Sequence, residues 1–424
     1  MSQDLAPRAQ AAALLEAALG RRGGIDEAAA SNAFMEMEPR DRAFARMLAL
    51  TALRRLAAID RALDARLQKP PPEPVRTLLR LGVAQAFYME VPAFAAVDTT
   101  VALAQSRPET RPFKGLINAV LRKVVREGVA GDPASAAPDW LQARWRAAYG
   151  EEAARAIAAQ IPHEPPTDLT LKLDAPAAEL AEALEAEPLP GGSLRSAKRG
   201  DVSDWPGFEQ GSWWVQDAAA AVPARLLDVK PGETALDLCA APGGKTLQLA
   251  AAGADVVAVD RSAARLKRVR ENLVRTGLEA EVVAADAAAW SDDRTFDAVL
   301  LDAPCSATGT FRRHPDVLWA ARPGDIAKLA GVQSRLLDAA ADRTRPGGRL
   351  IYCVCSLEPE EGEAQLDAFL RRRPEFRRIP IARGEGGAPD EALTPSGDLR
   401  LLPNHWAERG GMDGFFVARL SRSL

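Results

Sequence analysis

Histidine, cysteine and long apolar runs are scarce in this chain, and each scarcity excludes a class of protein. Three histidines, His163, His314 and His405, are scattered along 424 residues. Cys353 and Cys355 are one residue apart, no second ligand pair has metal spacing, and no metal is expected. The four cysteines lie between positions 239 and 355, too few for a disulfide framework, so they read as reactive or buried thiols of a reducing cytoplasm. No stretch approaches the roughly 20 apolar residues of a membrane span. Met1 to Arg8 lacks the basic-then-apolar order of a secretion signal, and neither a membrane nor an export route is expected.

What is present fits a soluble globular protein, with 47% apolar and 26% charged residues. A chain of 424 residues calls for two or three domains. The net charge of −4 hides a polarity: residues 1–130 hold 19 Lys+Arg against 14 Asp+Glu, or +5, which leaves −9 for the rest. That asymmetry is compatible with a basic RNA-binding module on an acidic enzyme, and also with an ordinary surface.

Helical spacing dominates residues 1–130. Ala11 to Leu19 ends at Gly20; Asp41 to Ala58 places Phe44, Met47, Leu48 and Leu53 on one apolar face; further runs are Asp60 to Leu67, Pro74 to Tyr88, Ala95 to Gln105 and Lys114 to Arg126. This predicts an all-α domain of about five to seven helices. Residues 131–165 read as a helical connector, with breakers at Gly131-Asp132-Pro133 and Pro165-Pro166. Residues 166–217 form a small α/β subdomain, opened by the alternating Leu169 to Leu173. From residue 218 to 424, strand-like Thr234–Leu238, Asp255–Asp260, Ala280–Ala284, Phe296–Leu301 and Arg349–Val354 alternate with helical runs. The fold class is therefore α/β, a Rossmann-like, doubly wound and mostly parallel sheet preceded by the all-α domain.

Sites in such sheets lie at the carboxyl ends of strands. After the first stands Cys239-Ala240-Ala241-Pro242-Gly243-Gly244-Lys245, whose small residues and following helix N-terminus let a ligand approach the backbone. A phosphate loop would need glycine where Cys239 stands, and a dinucleotide fingerprint is missing. Asp260, Asp286 and Asp302 follow or end the next strands. Any one of them is an ordinary cap or turn; together with the loop they suit a ligand with ribose hydroxyls, an adenine amino group and a cationic sulfonium, S-adenosylmethionine. Cys305 and Cys355 follow the last two strands. A thiolate adding to C6 of a cytosine makes C5 nucleophilic towards a methyl sulfonium. Asp302 is placed to assist at N3, and a second thiol to divide attack from release. Chemistry alone leaves open which cysteine attacks.

These motifs resemble the Sun/Nop family of RNA cytosine-C5 methyltransferases, in its RsmB-type branch. Residues 235–246 are similar to the first cofactor motif, Asp302-Ala303-Pro304-Cys305-Ser306 to motif IV, and Tyr352-Cys353-Val354-Cys355-Ser356 through Glu361 to motif VI. Arg312-Arg313-His314-Pro315-Asp316 and Gly411-Met412-Asp413-Gly414-Phe415-Phe416 also match, and residues 1–130 resemble a NusB-like RNA-binding domain. The resemblance implies Cys355 as nucleophile, Cys305 in product release, Asp302 against the base and Lys245 as an orienting group. It implies S-adenosylmethionine on residues 239–245, Asp260, Asp286 and Asp302, and RNA against Arg312, Arg313 and His314. The implied substrate is 16S ribosomal RNA, acted on by a monomeric enzyme. A transfer-RNA methyltransferase, or an RNA-binding assembly or antitermination factor on a dead methyltransferase fold, are the alternatives. Departures are Val354 where the family usually has threonine, the extra thiol Cys353, and Thr170-Leu171-Lys172 in place of an Arg-Val-Asn-like strand. Trp213-Trp214 reads either as packing or as an RNA-stacking pair.

Overall fold

Apolar residues three and four apart build the first unit. A computed structural model describes residues 5–20 and 24–424; the first four residues of the Met1–Arg8 segment lie outside them. Helix α1 (Ala6–Leu19) buries Ala11, Leu14, Leu15 and Ala18, and the Gly20 N–H closes its end on the Glu16 carbonyl. Short α2 (Gly24–Ala29) and α3 (Asn32–Met35) lead to α4 (Pro39–Arg54), α5 (Leu56–Asp64), α6 (Glu73–Tyr88), α7 (Ala93–Ser106) and α8 (Lys114–Glu127). One core takes Leu48 and Leu53 from α4, Leu78 and Leu79 from α6, and Ile117 and Leu121 from α8. The run Asp41 to Ala58 is thus two helices, broken at Arg55. Met47 is 51% exposed; one step of about 100° from Leu48 carries it off the buried face.

Helix α9 (Asp139–Ala159) bends at Gly150, the point that separates its amphipathic first half from its alanine-rich second. The segment 131–165 was expected as a connector, and its residues up to Glu164 pack with the helical unit. A second segment, Phe311–Ala321, also joins this unit although sequence order puts it inside 218–424. The cause is apolar: Phe311 is fully buried and stacks on Trp145 with centroids 6.0 Å apart. Arg54 Nη2 also donates to the Arg312 carbonyl at 3.0 Å.

The other unit comprises residues 165–310 and 322–424. It opens with β1 (Thr167–Leu171), α10 (Ala177–Ala183), β2 (Ala186–Pro188), β3 (Leu194–Ser196) and β4 (Trp213–Val215), an antiparallel sheet ordered β2-β3-β1-β4. Arg195 grips Asp168 through two hydrogen bonds of 2.7 Å, and both side chains are buried. Asp168 also accepts from the Ala218 N–H, and Arg195 donates to the Arg409 carbonyl, so this one pair joins the small sheet to two other segments of its unit. Trp213 and Trp214 are both buried, in separate apolar clusters, which decides for packing.

Then follow α11 (Ala218–Leu227), β5 (Thr234–Leu238), α12 (Gly244–Ala251), β6 (Asp255–Asp260), α13 (Ala263–Thr276), β7 (Glu281–Ala284), β8 (Phe296–Asp302), α14 (Val317–Ala320), α15 (Pro323–Arg343), β9 (Thr344–Val354), α16 (Glu363–Arg372), β10 (Phe376–Arg378), β11 (Leu399–Leu401) and β12 (Phe415–Arg422). The large sheet runs β10-β12-β9-β8-β5-β6-β7, with β11 paired on β12. Strands β5 to β9 are parallel, and β12 enters antiparallel between β9 and β10. The central strands are nearly continuous apolar runs because both faces are covered.

Candidate active site

The strand order brings the ends of β5, β8 and β9 side by side, and the chemistry collects there. From β5 the chain turns through Cys239, held at φ 63°, the cis Ala241–Pro242 bond and Gly243 at φ 105° into α12. Side chains at Gly243 and Gly244 would stand 3.1 Å from Val269 and Gln216, so the loop is packed from behind and only small residues fit. Lys245, in the first turn of α12, sends its ammonium to Asp302 Oδ2 at 2.7 Å and over the Phe415 ring at 5.3 Å. Burial alone would lower the lysine pKa, but the Asp302 carboxylate outweighs it and the net shift is upward. The lysine of this Gly-Gly-Lys-Thr run therefore serves a carboxylate, unlike the lysine of a phosphate loop.

Beneath the loop, Asp237 is fully buried; Thr246 Oγ1 donates to its Oδ2 at 2.6 Å, while Oδ1 has no partner among the described residues. Burial raises its pKa to about 7, with the charges of Asp302 and Asp260 adding to the rise against Thr246 and Lys245. Asp260, at the end of β6, accepts from the backbone N–H groups of Ala241 at 3.2 Å and Ser262 at 2.8 Å, which pins the loop to the next strand. Asp286, two residues past β7, is exposed and caps its own turn through the Ala288 N–H.

The thiols stand after the last ladder pair of β8 and β9, Asp302 with Cys353. Cys305 Sγ and Cys355 Sγ are 3.4 Å apart. The contact with Cys355 and burial together raise Cys305 well above an ordinary thiol. Cys353 is fully buried, and its Sγ lies 3.6 Å from Asp302 Oδ1. Burial, with the Asp302 charge, raises this thiol well above its usual range. It thus sits behind Asp302, and the sulfur hydrogen-bonded to Cys355 is that of Cys305. Cys239 is pushed up to about 12 by burial and by the carboxylates of Asp302, Asp260 and Asp237. A thiol with that pKa is inert at neutral pH.

Asp302, Cys305, Cys355 and Lys245 therefore share one cluster, with Asp260 beside the loop and Asp286 on the rim. The basic run belongs elsewhere, in the helical unit. Arg312 is 2% exposed and offers an RNA phosphate no surface, which corrects its expected role. Arg313 and His314 are half-buried, and His314 Nδ1 lies 3.5 Å from Asp26 Oδ2. Sequence reasoning gave no role to Glu361, which is fully buried and accepts from Ser306 and Ser356, the neighbours of the two cysteines. Its only sequence signal was its place inside the Cys355-to-Glu361 run.

A sheet of this order, with a ligand loop after its first parallel strand and thiols after its fourth and fifth, defines a Rossmann-like methyltransferase domain accompanied by an all-α unit. Residues 224–421 match the model of the 16S rRNA methyltransferase RsmB/F family, and residues 6–126 that of the NusB family. Ribosomal RNA small subunit methyltransferase B of Pseudomonas syringae pv. tomato is 38% identical over 98% of this chain and 96% of its own length. The protein of that name from Pseudomonas putida is 39% identical over 98% of each chain. Among solved structures, PH0851 superposes with a TM-score of 0.80 at 25% identity over 98% of this chain and 99% of its own. A methyltransferase homolog from Pyrococcus horikoshii gives 0.56 at 26% identity, over 71% and 98%. The chain belongs to the 16S rRNA methyltransferase RsmB/F family. Among the described residues no helix is long and apolar enough to cross a membrane.

Proposed function

We propose that this chain moves a methyl group from S-adenosylmethionine to C5 of a cytosine in 16S ribosomal RNA, through a transient bond between C6 and the Cys355 sulfur. The observation that carries the reading is the 3.4 Å approach of Cys305 and Cys355 at the ends of adjacent strands, beside the Lys245–Asp302 pair. The names of the relatives favour ribosomal over transfer RNA.

The residues fit the donor. The loop 239–245 presents small residues and a helix N-terminus, Asp260 and Asp286 are acceptors for hydroxyl and amino groups, and no cationic side chain of the loop is left for a phosphate. When bound, the donor supplies an electrophilic methyl group. The protein does the rest. Cys355 adds to C6 as its thiolate, and a proton shared with the Lys245–Asp302 pair, 2.7 Å apart, meets the charge that develops at N3; once C5 carries the methyl group, a base takes the C5 proton and the C6–S bond breaks to return the thiolate. Two thiols in contact do not ionise together. Cys355 is assigned as attacker on the family resemblance of its motif, and Cys305, 3.4 Å away, as the hydrogen-bond donor to the leaving sulfur. The base must leave its stack to reach these atoms, since Cys305 and Cys355 are both partly buried. Contact with the RNA backbone is assigned to Arg313 and His314.

Methyl transfer from labelled donor to 16S ribosomal RNA, with the product base identified by mass spectrometry, tests the reaction. Cys305→Ala should retain RNA as a covalent adduct, and Cys355→Ala should be inactive and form none. The reverse pattern exchanges the two roles; label on any atom other than cytosine C5 defeats the proposal.

A further inference from the structure

The sheet does not by itself explain why two sulfurs on separate segments stand 3.4 Å apart. The β8–β9 ladder ends at Asp302 and Cys353, and one more backbone bond, Ala303 N–H to the Cys353 carbonyl at 2.9 Å, closes it. Beyond that point the regular ladder stops, and the two segments meet again through the Gly309 N–H on the Cys355 carbonyl at 3.0 Å, the Leu357 N–H on Thr308 Oγ1 at 3.0 Å and the Ser306 and Ser356 hydroxyls 3.0 Å apart.

Glu361 spans the gap. Its side chain is fully buried. Oε1 accepts from the Ser306 N–H at 2.9 Å and from Gln333 Nε2 at 3.0 Å. Oε2 accepts from Ser356 Oγ at 2.6 Å and from Ser306 Oγ. Ser306 follows Cys305, and Ser356 follows Cys355. Gln333 of α15 also donates to the Pro304 carbonyl at 3.0 Å, so the residues on both sides of Cys305 are held. Glu361 is itself anchored, since its N–H reaches the Glu358 carbonyl at 3.0 Å and its carbonyl accepts from the buried Tyr352 hydroxyl of β9. Among the described residues no cation pairs with it. An ionised carboxylate is an acceptor only, with about four lone-pair sites, and the four donors match them. Neither sulfur is among those donors.

We propose that Glu361 is a positioning residue that clasps the Cys305 and Cys355 loops and fixes the sulfur-to-sulfur distance that the reaction needs. The clasp itself is independent of the covalent cytosine reading; only its consequence for turnover rests on that reading. A glutamine preserves the clasp, because its oxygen can accept from the Ser306 N–H and Gln333 while its amide donates to the two serine hydroxyls. Alanine removes it.

The distance can be read without RNA. Diamide takes two electrons and two protons from a neighbouring thiol pair, giving a disulfide and its own hydrazine. The rate of Cys305–Cys355 closure in the full chain, followed by peptide mass mapping, therefore reports their juxtaposition. Glu361→Ala should close that bond about tenfold slower or more, and Glu361→Gln within about threefold of the unaltered chain, at matched melting temperature. Methyl transfer should follow, with kcat reduced by about tenfold or more in the alanine variant, KM for RNA and donor unchanged, and glutamine restoring most of it. Closure at the unaltered rate in Glu361→Ala overturns the clasp. If that variant does not fold, the pair Ser306→Ala and Ser356→Ala removes two of the donors, and an unaltered rate there overturns it equally. The covalent reading fails by a different sign: Cys305→Ala would then trap no RNA whatever the closure rates.

Discussion

Replacing Asp237 by asparagine should make the protein more stable, and increasingly so as the pH rises. The carboxyl lies fully buried beneath the loop, with one oxygen bonded to Thr246 and the other without a partner among the described residues. Burial is the largest influence and moves its pKa from 3.8 to about 7. In the unfolded chain the group ionises near its ordinary value, so between the two pKa values the folded state holds the extra proton. The stability this confers is complete below about pH 4 and is lost as pH rises towards 7. The loss runs at about 1.4 kcal/mol per pH unit and totals about 4 kcal/mol once the folded carboxyl has ionised. Asparagine copies the protonated form and keeps an acceptor for the Thr246 hydroxyl. The variant should thus lead by only about 1 kcal/mol at pH 4.5, gain steadily until about pH 7 and then hold level. Urea midpoints measured for both proteins from pH 4.5 to 8.5 give the difference directly, with groups common to both cancelling. A gap that is constant with pH, or that favours aspartate at pH 8, would mean that the nearby Lys245 ammonium and not burial governs this group, and the reasoning would be refuted.

Three further perturbations bear on how the site is held. Arg195→Met should destabilise by about 3–5 kcal/mol, because it leaves the buried Asp168 without its two 2.7 Å bonds, and adding Asp168→Leu should recover much of that loss in thermal melts. Gly309→Ala would place a Cβ 2.1 Å from the Gly414 carbonyl oxygen and disturb the Gly309 N–H bond to the Cys355 carbonyl. A loss of about 1–3 kcal/mol in melts, with methyl transfer falling further than stability, is expected. Cys353→Ala removes a weak donor to Asp302 but leaves Lys245 in place. Its methyl transfer should stay within about threefold of the unaltered chain, and a loss as complete as that of Cys355→Ala would give Cys353 a chemical role that its place behind Asp302 does not.

The parts of the fold legible in the sequence are those written in local periodicity. Thr234–Leu238, Asp255–Asp260 and Ala263–Thr276 carry the boundaries their residue pattern predicts, because buried parallel strands and amphipathic helices announce themselves over five to fourteen residues. Arg55 shows the limit. Nothing in an unbroken helical pattern marks the residue where α4 stops and α5 starts again, and the break shows only in the non-helical backbone of Arg55, φ −106° and ψ 7°. Phe311–Ala321 is a stronger case. Its attachments, Phe311 on Trp145 166 positions earlier and the Arg312 carbonyl on Arg54, are long-range pairs that leave no periodic trace. The same reason explains Arg312. A basic triplet reads as surface in sequence, but anchoring by Phe311 takes the first of its arginines inside.

The candidate site divides along the same line. The residues proposed to meet a ligand end or follow strands, so the loop after β5, Asp260, Asp302, Cys305 and Cys355 could be found from strand ends alone. Residues that hold those groups in place come from wherever the fold brings a donor or acceptor. Lys245 begins a helix yet ends on Asp302, and Glu361 lies after β9 yet grips the segment after β8. This has a consequence for how donor and acceptor meet. Helix α12, into which the proposed cofactor loop runs, and the carboxylate assigned to the base are joined by a single 2.7 Å ion pair, with Lys245 9% and Asp302 28% exposed at the side chain. A shift of the loop on binding donor must therefore move Asp302 or break that pair, and breaking it strands a buried ammonium. On the proposed mechanism, the Lys245–Asp302 pair is therefore what ties the position of α12 to the carboxylate assigned to the base.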